Sequence, residues 1–210
     1  MSRGVTRFFS PPKTAEKWAE MPKTPPKKPR KPGKSVAKSG ARAYNPPMPP
    51  SAANNLDRDG YRKNVGIVVC NDHRQVLWAR RIRHDGWQFP QGGVKPDESA
   101  REAALRELEE EVGLTERDVR LLGATENWLH YDVPYRHRLR GFRGQKQRWF
   151  LFKLTAPDSS VRLDLSDAPE FDHWRWVDYW LPPRQIVRFK RQVYERALTE
   201  LEQFLDGARA

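Results

Sequence analysis

Residues Gly92–Leu114 read GGVKPDESAREAALRELEEEVGL, and this stretch decides both the fold and the chemistry. It opens on a glycine pair and runs into small and apolar residues at helical spacing. Glu107, Glu110 and Glu111 stand at relative positions 0, +3 and +4, so a helix carries all three carboxylates on one face. Three like charges on one patch repel each other unless a hard divalent cation takes their oxygens as ligands. A Glu-rich run alone is more often a solvated helix face, so its surroundings have to carry the argument. Asp97 is placed to cap a helix over 97–112 that starts near Glu98. Ala100, Ala103, Ala104, Leu108 and Val112 form an apolar stripe that packs the helix down and leaves the glutamates outward. Arg106, four residues before Glu110, is placed to pair with it or to orient a neighbouring carboxylate. Gly113 stops the helix, and Gly92-Gly93 lets the backbone approach a metal or a phosphate.

Outside this stretch the 210 residues divide unevenly. Residues 1–55 hold 12 of the 39 Lys and Arg, 2 of the 27 Asp and Glu, and 11 of the 18 prolines. With no recurring apolar period, such a segment cannot bury enough surface to offset chain entropy, and it reads as a disordered basic tail. Residues 56–210 read as one domain. No apolar run approaches the roughly 20 residues that span a membrane, and no signal-peptide core is visible. The single cysteine, Cys70, reads as a small core residue of a cytoplasmic protein.

Within 56–210, the apolar run Val65–Cys70 reads as a buried strand, and Gln75–Ala79 pairs back after a turn. Val119–Asn127, Arg148–Leu154 and His173–Val177 read as further strands. Residues 192–205 carry Val193, Ala197, Leu198, Leu201 and Leu205 at helical spacing. Strands mixed with two helices indicate an α/β fold, a mixed sheet sandwiched between α-helices.

Five residues separate Gly92 from Glu98, and seven more lead to Arg106-Glu107-Leu108, then Glu110-Glu111 and Gly113-Leu114. This spacing matches the box of the Nudix hydrolases at every defined position, so the chain resembles that family. Its members cleave a diphosphate linkage using Mg²⁺ or Mn²⁺. Gly60-Tyr61-Arg62, Trp78-Ala79-Arg80-Arg81, Trp87-Gln88-Phe89-Pro90-Gln91, Gly144-Gln145-Lys146-Gln147, Pro169-Glu170-Phe171 and Phe189-Lys190-Arg191 extend the likeness. They resemble the bacterial members that remove pyrophosphate from 5′-triphosphorylated RNA, leaving a monophosphate that exposes the transcript to decay.

The resemblance implies that Glu107, Glu110, Glu111 and Glu170, with the backbone at Gly92, hold the metal. It groups Arg106 with the three box glutamates as the catalytic set, one of the glutamates, Glu111 foremost, orienting or deprotonating the attacking water; members of the family differ in which one serves as the base. Arg62 and Arg81 meet phosphates or the first bases, while Val187, Phe189 and Lys190 form a base-stacking cleft. Without the resemblance, Glu170 is a loop carboxylate and Phe189 a core residue.

Some positions depart from the family's usual residues. Lys63 stands where relatives more often have proline, and Gly86 where serine is common. The segment Pro134–Gly144 is basic through Arg136, Arg138, Arg140 and Arg143, and it borders the expected RNA cleft. The tail's run Pro25-Pro26-Lys27-Lys28-Pro29-Arg30-Lys31-Pro32 either binds RNA phosphates without sequence preference or serves solubility. Two rival functions share these features. One is hydrolysis of dinucleoside polyphosphates such as diadenosine tetraphosphate; the other is a non-catalytic module that binds nucleotides or RNA. The complete glutamate set disfavours the second.

Overall fold

The apolar run around Val65 becomes the centre of the molecule because both of its faces are covered. In the computed structural model, which describes residues 56–82, 86–135 and 141–206, this run belongs to strand β1 (Tyr61–Cys70). The basic tail 1–55 and the arginines at 136, 138 and 140 lie outside the described residues. Strand β1 pairs in parallel with β7 (Gly144–Leu154) over its whole length, Tyr61 opposite Gly144 and Cys70 opposite Lys153. The other strands are β2 (Gln75–Arg81), β3 (Trp87–Gln88), β4 (Gln91–Gly93), β5 (Val119–Ala124), β6 (Leu129–Asp132) and β8 (Phe171–Asp178).

The sheet runs β3-β2-β1-β7-β5, with β4 on β1, β6 on β7 and β8 on β2. All these pairings except β1–β7 are antiparallel, which makes the sheet mixed. Helix α1 (Ala100–Val112) covers one face, where Val65, Ile67 and Val69 pack with Ala103, Ala104, Leu108 and Val112. Helix α3 (Arg191–Glu202), after the short α2 (Pro182–Gln185), covers the other. There Val193, Tyr194 and Leu198 meet Trp78, Phe89 and Trp149. The expected sandwich is therefore the architecture, and Cys70 is buried in its core. No helix among the described residues is long and apolar enough to cross a membrane.

Strand limits differ from the sequence pattern where polar residues line a site. The pattern starts β7 at Arg148, but the strand starts at Gly144, because its Gln145 and Gln147 face a polar cleft instead of apolar core. The pattern carries β5 to Asn127, whereas the strand ends at Ala124. At Thr125 the side chain enters the ladder: its Oγ1 accepts from the Trp149 N–H at 3.1 Å and donates to the Asn127 carbonyl at 3.1 Å. Strands β3, β4 and β6 are too short to leave a period in the sequence.

Candidate active site

Helix α1 starts at Ala100 with Ser99 as its cap, which corrects the expected start at Asp97. Ser99 has a glutamate three residues on. The Glu102 N–H donates to Ser99 Oγ at 3.2 Å, and the Ser99 N–H donates to Glu102 Oε2 at 2.7 Å, a reciprocal pair open to no neighbouring candidate. At the other end Gly113 adopts φ +72°, a left-handed conformation, and its N–H donates to the Glu109 carbonyl at 3.0 Å.

Only one of the three box glutamates points outward as the apolar stripe suggested. Glu110 is 53% exposed, Glu107 only 13%, and Glu111 is half-buried. The reason is the loop before the helix. A Cβ on Gly92 would overlap the Glu107 carboxylate, so the glycine is what lets that carboxylate lie against the strand β4 backbone. Glu111 accepts the Gln91 N–H on Oε2 at 3.0 Å.

Arg106 ties these pieces together. It donates to Glu98 through Nε (3.0 Å) and Nη2 (2.7 Å), to Glu107 and Glu110 through Nη1 (2.7 and 3.1 Å), and to the Gly93 carbonyl at 2.9 Å. With its donors engaged this way, Arg106 holds the carboxylates in orientation. Its guanidinium keeps the Glu98 carboxyl below the usual carboxylate range.

Burial pushes the Glu107 carboxyl up, against the pull of Arg106. Burial raises Glu111 well above its ordinary value, and the nearby charges of Glu107 and Glu170 raise it further. Glu170 reaches the site from the loop before β8. It is paired with Arg81 at 2.6–2.8 Å, and its carbonyl accepts the Ile82 N–H at 2.8 Å. Among the described residues no three of these acidic side chains converge as a ligand set in the conformation observed. Glu107 is turned to Arg106 and Glu170 to Arg81. The donor chemistry nevertheless suits a hard divalent ion: mutually repelling carboxylates, with a backbone strand brought close by Gly92.

Beside the carboxylates lies a cleft. Lys190 is buried, and its ammonium donates to Gln91 Oε1 at 3.1 Å and sits 5.5 Å from the centre of the Tyr131 ring. Burial, then the charge of Arg81, depresses its pKa to about 8. Phe189 packs against Tyr131 with ring centres 5.8 Å apart yet stays 38% exposed, and Val187 is 47% exposed. Phe189 is thus not the core residue its composition alone suggests. Arg62 lies against Gly93 and has no carboxylate partner among the described residues.

Sequence reasoning missed the polar floor of this cleft. Gln147 Nε2 donates to Asn64 Oδ1 at 2.7 Å and reaches Gln91 Oε1 at 3.4 Å, while the Tyr131 hydroxyl donates to Gln145 Oε1 at 2.7 Å. The available signal was polar residues at alternate positions on β1 and β7, which one-face burial would otherwise make apolar.

The family model for the NUDIX domain matches residues 60–197. The chain belongs to the Nudix family. Nudix hydrolases generally act with divalent metal ions. Curated relatives of this Nudix chain include the RNA pyrophosphohydrolase of Ectopseudomonas mendocina, 57% identical over 150 residues, covering 70% of this chain and 94% of that protein. The RNA pyrophosphohydrolase of Legionella pneumophila (strain Corby) is 54% identical over 158 residues, 73% of this chain and 90% of that one. Among solved structures, a C. elegans Ap4A hydrolase binary complex matches with a TM-score of 0.52 and 22% identity, covering 70% of this chain and 98% of that chain. The dihydroneopterin triphosphate pyrophosphohydrolase of E. coli also gives a TM-score of 0.52, at 21% identity, over 66% of this chain and 97% of that chain. These two likenesses are of the fold.

Proposed function

We propose that this Nudix protein is an RNA 5′-pyrophosphohydrolase of the cytoplasm, converting a 5′-triphosphate end to a 5′-monophosphate and releasing pyrophosphate. One observation carries the reading. Relatives more than 50% identical over at least nine-tenths of their own length bear the name RNA pyrophosphohydrolase. A cleft with two arginines, a lysine and an exposed aromatic beside paired acidic groups suits such a substrate.

Mg²⁺ or Mn²⁺, held by Glu107, Glu110, Glu111, Glu170 and the Gly92 backbone, would supply an acidified water and neutralise phosphate charge when bound. Glu111 has Oε2 fixed by the Gln91 N–H, which leaves Oε1 to orient the attacking water and take its proton. Arg62 and Arg81 bind the phosphate oxygens as bidentate donors. Phe189 and Val187 offer an apolar face to a base, and Lys190 holds the wall behind it. Arg106 positions Glu107 and Glu110 without touching the substrate.

Product analysis on 5′-triphosphorylated RNA, with either metal, tests the proposal. Release of pyrophosphate in one step is the expected result. A higher kcat/KM on diadenosine tetraphosphate would reassign the enzyme to dinucleoside polyphosphates. Nucleotide binding without turnover on either substrate would leave a binding module.

A further inference from the structure

Helix α1 covers only part of its face of the sheet. It packs over Val65, Ile67 and Val69, and the starts of strands β1 and β7, together with β6, extend beyond it. On that uncovered part, Lys63 of β1 stands directly opposite Lys146 of β7, and Lys146 directly opposite His130 of β6. Directly opposed residues share a face, and like charges placed so are destabilising. Asp57, 3.5 Å from Lys146, offsets one of them. Lys63 makes no carboxylate ion pair among the described residues, and Lys95 acts on the neighbouring Glu98 carboxylate by charge alone. Arg148, next along β7 on this face, buries its Nε without a hydrogen-bond partner.

Aromatic rings are set among these cations. Lys63 lies 5.8 Å from the centre of the Trp128 ring, and the Arg143 guanidinium, paired with Asp132 at 3.1 Å, lies 5.1 Å from that of Tyr61. Two clefts open there, one of about 310 Å³ lined by Lys63 and Lys95 with Asp57 and Glu98, and one of about 280 Å³ lined by Tyr61, His130, Arg143 and Lys146 with Asp59.

We propose that this face binds the phosphodiester backbone of single-stranded RNA downstream of its 5′ end, a reading that rests on the RNA substrate proposed above. Cations interleaved with aromatic rings suit a strand whose phosphates are charged and whose bases stack. Position supports the same occupant. Arg62 and Lys63 are consecutive on β1 and point to opposite faces, so the start of that strand is the rim between the 5′ cleft and the basic face.

The test uses the full chain with the double variant Lys63→Glu/Lys95→Glu. Binding of a 5′-monophosphorylated RNA of roughly 15 nucleotides is followed by fluorescence anisotropy between about 50 and about 200 mM salt. Each lost phosphate contact lowers the slope of log K against log salt by about 0.7, so a fall of about 1.4 and a roughly tenfold higher Kd at low salt are expected. Lys63→Gln/Lys95→Gln, which loses the same two contacts without reversing charge, should show the same fall of about 1.4 in slope with a smaller rise in Kd. The kcat/KM for a triphosphorylated dinucleotide, too short to reach this face, should stay within about twofold of the parent's value. Unchanged Kd and slope, or an equal loss on the dinucleotide, overturns the proposal. A parent protein that binds the longer RNA but fails to hydrolyse triphosphate ends would refute the enzymatic reading and leave this one standing.

Discussion

Helices α1 and α3 lie on opposite faces of one sheet, yet they build their halves of the site in different ways. Everything that α1 contributes is local. Glu98, Arg106, Glu107, Glu110 and Glu111 fall within one short segment whose helix is capped at each end; one guanidinium binds Glu98, Glu107 and Glu110, and the Gln91 N–H holds Glu111. The α3 side is assembled from distant chain. Lys190, in the turn Arg188–Lys190 that leads into α3, meets Gln91 from 99 residues earlier and the ring of Tyr131. Its helix has no side-chain cap. A local cluster advertises itself as spacing, whereas a cleft drawn from three parts of the chain does not. The first half should govern turnover and the second binding, and substitutions can separate the two.

The largest effect is expected at Glu111→Gln. The change keeps the shape and an oxygen for the Gln91 N–H but removes the base, so turnover should fall by about 10²–10⁴-fold. RNA affinity, measured on the same protein, should hardly change; a parallel loss of binding would break the division between the halves. Next comes Gly92→Ala. Its Cβ overlaps the Glu107 carboxylate and forces that group aside, and displacement on the ångström scale costs about 10²-fold in kcat. Single-turnover kinetics beside a melting curve would show whether the loss is in chemistry or in folding.

On the other half, Phe189→Ala removes a stacking face. It should cost about 1–3 kcal/mol of RNA binding with kcat nearly unchanged. A drop confined to kcat would place Phe189 with the carboxylates instead. The smallest change is Ser99→Ala, which loses the cap of α1 and about 1 kcal/mol of stability, read as a shifted urea midpoint. Activity measured well below that midpoint should be retained, because Arg106 still clamps the helix to Gly93.

Legibility follows the same line. The glutamate spacing, the Arg106–Glu110 pair and the glycine stop at Gly113 could all be read directly, because helix geometry turns sequence distance into spatial distance. Asp97 and Ser99 are equally good caps by residue type, and the two-residue difference in the start of α1 is settled by Glu102, whose spacing from Ser99 forms the capping box. The layered sandwich was legible from alternating apolar runs. The pairing of Gln147 with Asn64, and the grip of Gln91 on Lys190, were not. Those bonds depend on sheet register, and nothing local in the sequence encodes which strand lies beside which.

The parallel pairing of β1 with β7 also bears on how the molecule is made. More than eighty residues separate the two partners in the chain, and the sheet's centre cannot close until both exist. Strands β2 and β4 can pair with β1 soon after it is made, but the edge of β1 that β7 will cover stays open throughout the synthesis of the segment between them, a state open to aggregation. Such non-local closure makes folding slow, so the yield of native protein on rapid overproduction should depend on chaperone supply more than on the stability of the finished fold.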